Sequence, residues 1–234
     1  MEPLPASLQV IRQLEQSTGE DLLTPLTDVA AALATVVPSC LGFSMSYVRQ
    51  GIAITFYAVD DVVAALDAVQ YASGGPCVDA IDNGETLRTD DLSDPLCEIT
   101  WHLFSRAASA YGVQSTLSYP LHDGDRVVGS INVYAGEPHA FAGQAAAVAE
   151  LFGTWAHEAV RNADLVWSTR ADAERGPQLL QDTTLINQAA ELLAERDDID
   201  VGTARDRVDD AAVRAGVRPV EVAEAILAAP DAPA

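Results

Sequence analysis

The stretch Gly112-Val113-Gln114-Ser115-Thr116-Leu117-Ser118-Tyr119-Pro120-Leu121-His122-Asp123-Gly124-Asp125-Arg126-Val127-Val128-Gly129-Ser130-Ile131-Asn132-Val133-Tyr134-Ala135 decides the fold. Residues 112–121 and 126–135 read as strands, and the Asp123-Gly124 pair between them suits a tight hairpin. A second pair of β-like runs, 41–49 and 52–59, is joined by Gln50-Gly51 and reads the same way. A short strand is expected at 85–89. Around these runs the apolar spacing is helical at 4–18, 22–37, 98–110 and 144–167. Thr24 is expected to cap the second helix, with Pro25 at its first position. Residues 60–71 are alanine-rich and fit a helix or an irregular loop, ended by Gly74-Gly75-Pro76. The sum is an α+β domain, a central antiparallel sheet with helices on one face.

Composition narrows the function. The chain has 234 residues, 49% of them apolar, and a net charge of −22 from 35 acids against 13 bases. Every base is arginine. A surface that draws in polyanions throughout needs an excess of Lys and Arg, so contact with nucleic acid has to be local, and an anionic membrane is an equally poor partner. The N-terminus has neither the basic nor the apolar segment of a signal peptide, and the longest nearly apolar stretch, 29–37, is far short of the roughly 20 residues of a spanning helix. Three cysteines at irregular spacing (Cys40, Cys77, Cys97) fit a reducing cytosol. His102, His122, His139 and His157 have no metal-ligand spacing, and no cofactor is specified.

The helix at 144–167 carries Val148, Phe152, Trp155, Ala159, Asn162 and Val166 at steps of four and three, a heptad seam. The seam suits a homodimer, with Asn162 fixing register; the same helix also suits a cover over one sheet face. Arg175-Gly176-Pro177 marks a joint. Beyond it the chain reads as three helices, 179–196, 200–215 and 219–229, with Asp200 as an N-cap, Gly216 as a stop and Pro219 and Pro230 at the ends of the last.

Several short motifs recur in a fixed order: Gly75-Pro76-Cys77, Asp90-Asp91-Leu92, Gly112-Val113-Gln114-Ser115, Pro120-Leu121 and Gly129-Ser130-Ile131-Asn132-Val133-Tyr134. The series resembles the GAF domains of small bacterial GAF–ANTAR regulators. The three C-terminal helices resemble the ANTAR domain, which opens I-x-x-A-K-G-x-L-M-x-R. Ile186, Ala189, Leu193 and Arg196 match that pattern, and Ala204, Val208, Ala212, Arg218, Val222 and Ala223 keep the later spacing. The lysine, glycine and asparagine positions hold Ala190, Glu191 and Gly216.

The resemblance implies an N-terminal helix (1–21), a GAF sensor (22–167), a linker (168–178) and a three-helix ANTAR-like unit (179–230). It implies a transcription regulator that senses a small molecule or redox state and binds RNA stem-loops to relieve termination. RNA contact would fall to Arg196, Arg205, Arg214 and Arg218. Residues 170–234 carry seven arginines against 14 acids, and the departures remove basic and amide contacts. The alternative is therefore a dimeric ligand- or partner-binding module whose terminal domain no longer binds RNA. An aromatic ligand pocket is expected from Tyr57, Trp101, Phe104, Tyr119 and Tyr134, with Cys77 as a ligand-contacting or redox-sensing thiol or a small buried hydrophobe. Free methionine sulfoxide reductases share the GAF fold, but the cysteine spacing differs from theirs, so the chain is expected not to be an enzyme.

Overall fold

A computed structural model describes residues 3–19, 21–173 and 183–228 of the chain. Helix α1 (Pro5–Thr18) opens on a proline and ends at Gly19, whose φ of 75° is left-handed. Helix α2 (Leu23–Val36) already includes Thr24, the residue expected to cap it. Glu15 Oε1 accepts from the amides of Leu22 and Leu23 at 2.9 and 3.0 Å, and Asp21 Oδ1 accepts from Thr24 at 3.0 Å. The caps are therefore acids upstream, and Pro25 lies inside the first turn.

Strands β1 (Cys40–Arg49) and β2 (Ile52–Ala58) form the first hairpin. Gln50 and Gly51 both have positive φ, 51° and 79°, which is the type I′ turn that matches strand twist. Residues 61–73 are a helix, α3 (Asp61–Ser73), capped by Asp60 accepting from Val63 N at 2.8 Å. The sequence reading missed α4 (Pro76–Asn83), a helix directly after the glycine pair. Strand β3 (Leu87–Thr89) is short. The helix expected over 98–110 is two: α5 (Pro95–Thr100), capped by Asp94, and α6 (His102–Ala110), broken apart by Trp101. Strands β4 (Ser115–Asp123) and β5 (Arg126–Ala135) close the second hairpin.

All pairings are antiparallel, in the order β2-β1-β5-β4-β3. Period-2 alternation sorts the faces. Phe43 of β1 meets Phe152 edge-on at 5.4 Å, so this face lies under α7 (Ala145–Ala173), flanked by α1 and α2. The other face is covered by α3 and α4. Helices thus lie on both faces of the sheet, not one.

Helix α7 is interrupted at Gly153 (φ 49°, ψ −151°), between Phe152 and Trp155. That break corrects the heptad seam, which needs an unbroken helix. Val148, Phe152 and Ala159 are buried against their own chain, and Trp155 and Asn162 are half-buried. The side chain of Val166 lies outside the described residues. The helix also runs to Ala173, past the expected boundary at 167.

The expected joint Arg175-Gly176-Pro177, the start of the following helix at 179 and Pro230 lie outside the described residues. Three helices follow: α8 (Thr183–Asp197), α9 (Val201–Ala215, capped by Asp200) and α10 (Pro219–Leu227). They pack on one another, and α9 and α10 also rest on α3. One continuous apolar core joins Val208, Val222 and Ile226 to Val63 and Leu66. Helix α3 is consequently buried nearly all round. This explains why residues 60–71 present no polar stripe and leave helix and loop undistinguished in the sequence.

Candidate functional site: a buried polar cluster

The sheet face beneath α3 and α4 is polar and buried. Strand β1 brings Ser44 and Ser46, and β5 brings Ser130, Asn132 and Tyr134, with Ser44 opposite Asn132 and Ser46 opposite Ser130. Thr55 of β2 stands opposite Ser46. Each of these six side chains is 2% exposed or less. Helix α3 answers with Asp67, Gln70 and Tyr71, whose i, i+3, i+4 spacing places them on one side of the helix. Cys77, at the start of α4, completes the group.

The hydrogen bonds converge on Asp67. Its carboxylate accepts from Tyr134 OH at 2.5 Å, Thr55 Oγ1 at 2.7 Å and Asn132 Nδ2 at 3.3 Å. Gln70 donates to Tyr134 OH at 2.9 Å and accepts from the Cys77 amide at 2.7 Å, tying α3 to the first turn of α4. Gly75 makes room for this link, since a Cβ there would lie 2.4 Å from Gln70 Cγ. Tyr71 OH and Thr55 Oγ1 are 2.7 Å apart, Ser46 and Ser130 2.8 Å, and Ser130 and Cys77 Sγ 3.3 Å. Asn132 Oδ1 is buried with no hydrogen-bond partner among the described residues. An open acceptor in a buried polar cluster is where a ligand donor or a water would be satisfied.

Burial sets the electrostatics. It pushes the Asp67 carboxyl above its ordinary value, against the pull of Tyr134, Ser44, Thr55 and Asn132. Burial, and then the charge of Asp67, pushes the Cys77 thiol up to about 12. Cys77 is fully buried as well, so it lacks the exposure and thiolate character that the redox-sensing reading requires.

A raised folded-state pKa means that the native state holds its proton longer than the unfolded chain. Stability therefore falls as pH rises from the ordinary carboxyl value of 3.8 through the raised one. Asp67→Asn keeps the shape without the charge. Its thermal midpoint is expected to match wild type near pH 3.5 and to exceed it at pH 7, by about 2–4 °C for each kcal/mol relieved. Thermal scans across that range check this; a pH-independent difference would refute the raised pKa.

The predicted pocket residues do not come together. Tyr134 and Cys77 belong to the cluster. Trp101 lies at its outer margin, its indole donating to Asp79 of α4 at 2.9 Å, and Phe104 is in the apolar core. Tyr57 and Tyr119 are on the opposite face: Tyr57 packs on Phe43 at 5.3 Å, and Tyr119 stands opposite Ile131, out of phase with Tyr134. The sequence reading missed Ser44, Ser46, Thr55, Asp67, Gln70, Tyr71, Ser130 and Asn132. Their signal was the alternation Ser44-Met45-Ser46 and Ser130-Ile131-Asn132-Val133-Tyr134 together with two polar residues, Asp67 and Gln70, in an alanine-rich helix.

The four expected RNA contacts are engaged. Arg196 pairs with Asp197 at 2.6 Å, Arg205 with the side-chain oxygen Oδ1 of Asn187, and Arg218 with Glu221 at 2.8 Å. Arg214 turns towards the sheet and donates to Ala53 O at 2.8 Å.

An antiparallel sheet carrying a helix-roofed polar cluster on one face and a helical layer on the other defines an α+β module of two helix-covered faces. The chain belongs to the GAF domain family, whose profile matches residues 20–161. GAF domains are small-molecule sensing modules of sensor proteins, and they commonly dimerise. The C-terminal helices, and with them the ANTAR resemblance, lie outside that match.

Among solved structures, the chain is similar to the GAF domain of a two-component sensor histidine kinase from Bacillus halodurans (12% identity, 62% of this chain and 97% of that one, TM-score 0.40). It is also similar to a type II free methionine-R-sulfoxide reductase from Thermoplasma acidophilum (10%, 68% and 94%, 0.40). A free methionine-R-sulfoxide reductase from Neisseria meningitidis in complex with its substrate is a third (16%, 67% and 91%, 0.35). No curated protein matches the chain. These likenesses are of fold. They correct the expectation that the chain is not an enzyme, because reductases are among the proteins with this fold. Among the described residues no helix is long and apolar enough to cross a membrane.

Proposed function

We propose that the chain is a cytosolic, dimeric signal-sensing regulator, in which a small molecule acts on the polar cluster under α3 and α4 and the C-terminal helices carry the response. One observation carries this reading: α3, the roof of the cluster, is also the floor on which α9 and α10 rest. A ligand that shifts α3 has to shift the helical unit, which is the differential contact that coupling between two sites requires.

The ANTAR resemblance extends the proposal to RNA stem-loops as the output target. A second reading, a protein partner in place of RNA, is favoured by the charges. Residues 183–228 hold five arginines against ten acids, and the four candidate contacts are engaged within the chain.

Native mass spectrometry of the full chain at about 50 mM volatile salt, alone and with a paired stem-loop RNA, separates the readings, since phosphate contacts weaken steeply with salt. A retained small molecule that is lost in Asn132→Leu supports the sensing site, and retention by that variant overturns its placement. An RNA adduct weakened by Arg196→Ala and Arg218→Ala supports the RNA output. No adduct, with or without the small molecule, leaves the protein partner.

A further inference from the structure

Arg214 holds the helical unit to the sensor through groups that suit a cation in general. Its guanidinium lies over the Tyr71 ring, with Cζ 4.3 Å from the centroid, and Nε donates to Ala53 O at 2.8 Å. Its side chain is only 16% exposed. Among the described residues the one carboxylate paired with it, Asp210 a turn earlier on α9, stands off at 3.5 Å.

Both recognition groups belong to the sensor. In a two-residue hairpin the closing pair, Arg49 and Ile52, is hydrogen-bonded, so the next pair, Val48 and Ala53, is not. The Ala53 carbonyl therefore points away from β1 at the open edge of the sheet, where it has no strand to pair with. The Tyr71 hydroxyl bonds Thr55, which donates to Asp67, so the ring stands at the end of a file that leads to the buried carboxyl. An aromatic face and an outward carbonyl, in a chain of net charge −22 that concentrates cations around itself, form a receptor for an organic cation.

We propose that the notch between Tyr71 and Ala53 is a binding site for a guanidinium-type organic cation, filled in this structure by Arg214, and that a free cation of this class entering it loosens the seating of α9 on the sensor. The proposal rests on the reading of α8–α10 as the output. The tethered arginine acts as its own competitor, because its contact is intramolecular and needs no free ligand concentration. The free ligand therefore has to make contacts beyond the guanidinium itself to compete in the wild-type chain.

The probe is n-propylguanidinium, the arginine side chain cut at Cβ, with equal concentrations of urea and sodium chloride as controls. Two quantities are read on the full-length chain: amide hydrogen exchange over α9 and α10, and the Tyr71 ring resonances. In Arg214→Ala, exchange is expected to rise tenfold or more, about 1.4 kcal/mol. In that variant the probe shifts the Tyr71 signals saturably, and at lower concentration than in wild type, where Arg214 competes. Arg214→Lys, which keeps the charge but not the fork, falls between the two; it serves as the test variant if the alanine variant does not fold.

Unchanged exchange in the variants overturns the proposal, as does a Tyr71 response that urea or salt reproduces or that wild type shows at the same concentrations. Absence of a retained small molecule or of an RNA adduct would count against the functional reading and leave this titration intact.

Discussion

Phe152→Asp is expected to unfold the chain. Phe152 is 1% exposed and sits edge-on to Phe43 at 5.4 Å, with Trp155 at 6.3 Å. Truncating such a ring to alanine costs about 3–5 kcal/mol. Aspartate adds a carboxylate with no partner in an apolar layer, a further cost of several kcal/mol unless it takes up a proton. Against a total stability of about 5–15 kcal/mol, the folded state does not survive at neutral pH. Circular dichroism read together with sedimentation checks this. A folded protein that merely dissociates would restore the heptad seam as a surface and reject the packing described above.

Gly129→Ala is the second large effect. Gly129 is the point at which α7 crosses β5. A methyl there would lie 2.3 Å from Ser46 O and 2.6 Å from Val160 Cγ1. Val160 is a side chain and can turn aside, but Ser46 O is main chain of the neighbouring strand and moves only if β1 and β5 part. Overpacking costs typically 1–3 kcal/mol, and a main-chain obstacle places this site at or above the upper end. At about 2–4 °C per kcal/mol, a fall of roughly 6–12 °C in the thermal midpoint is expected. Gly129→Ala combined with Val160→Ala should recover little of it. Full recovery would identify the valine, not the strand, as the obstacle.

Local chemistry made parts of this structure legible in the sequence. Gln50-Gly51 announced the first hairpin because turn geometry depends on the turn residues themselves, and Gly124 announced the second, although its turn is Gly124-Asp125, one residue later than the expected Asp123-Gly124. Asp94-Pro95 was an equally local helix start that the reading passed over. Other features depend on partners distant in sequence. Trp101 breaks the helix expected over 98–110 while its indole reaches Asp79, and Gly153 leaves helical geometry inside a run whose spacing looks unbroken.

The candidate site was hidden for a related reason. Alternating serines and an asparagine on β1 and β5 read as a solvated sheet face, and only the helix lying over that face turns them into a buried network. The aromatic residues drew attention because they are large. Yet strand phase, not size, divides Tyr134 from Tyr57 and Tyr119.

Helix α3, buried nearly all round, has an evolutionary consequence. It is a party wall between two rooms, and its alanines Ala64, Ala65, Ala68 and Ala72 set how closely the rooms can approach. A larger residue on one side of the wall has to be matched by a smaller one on the other. The sensor and the helical unit of this chain are therefore bound to drift together, and exchanging either for a homologous piece would carry the cost of a mismatched wall.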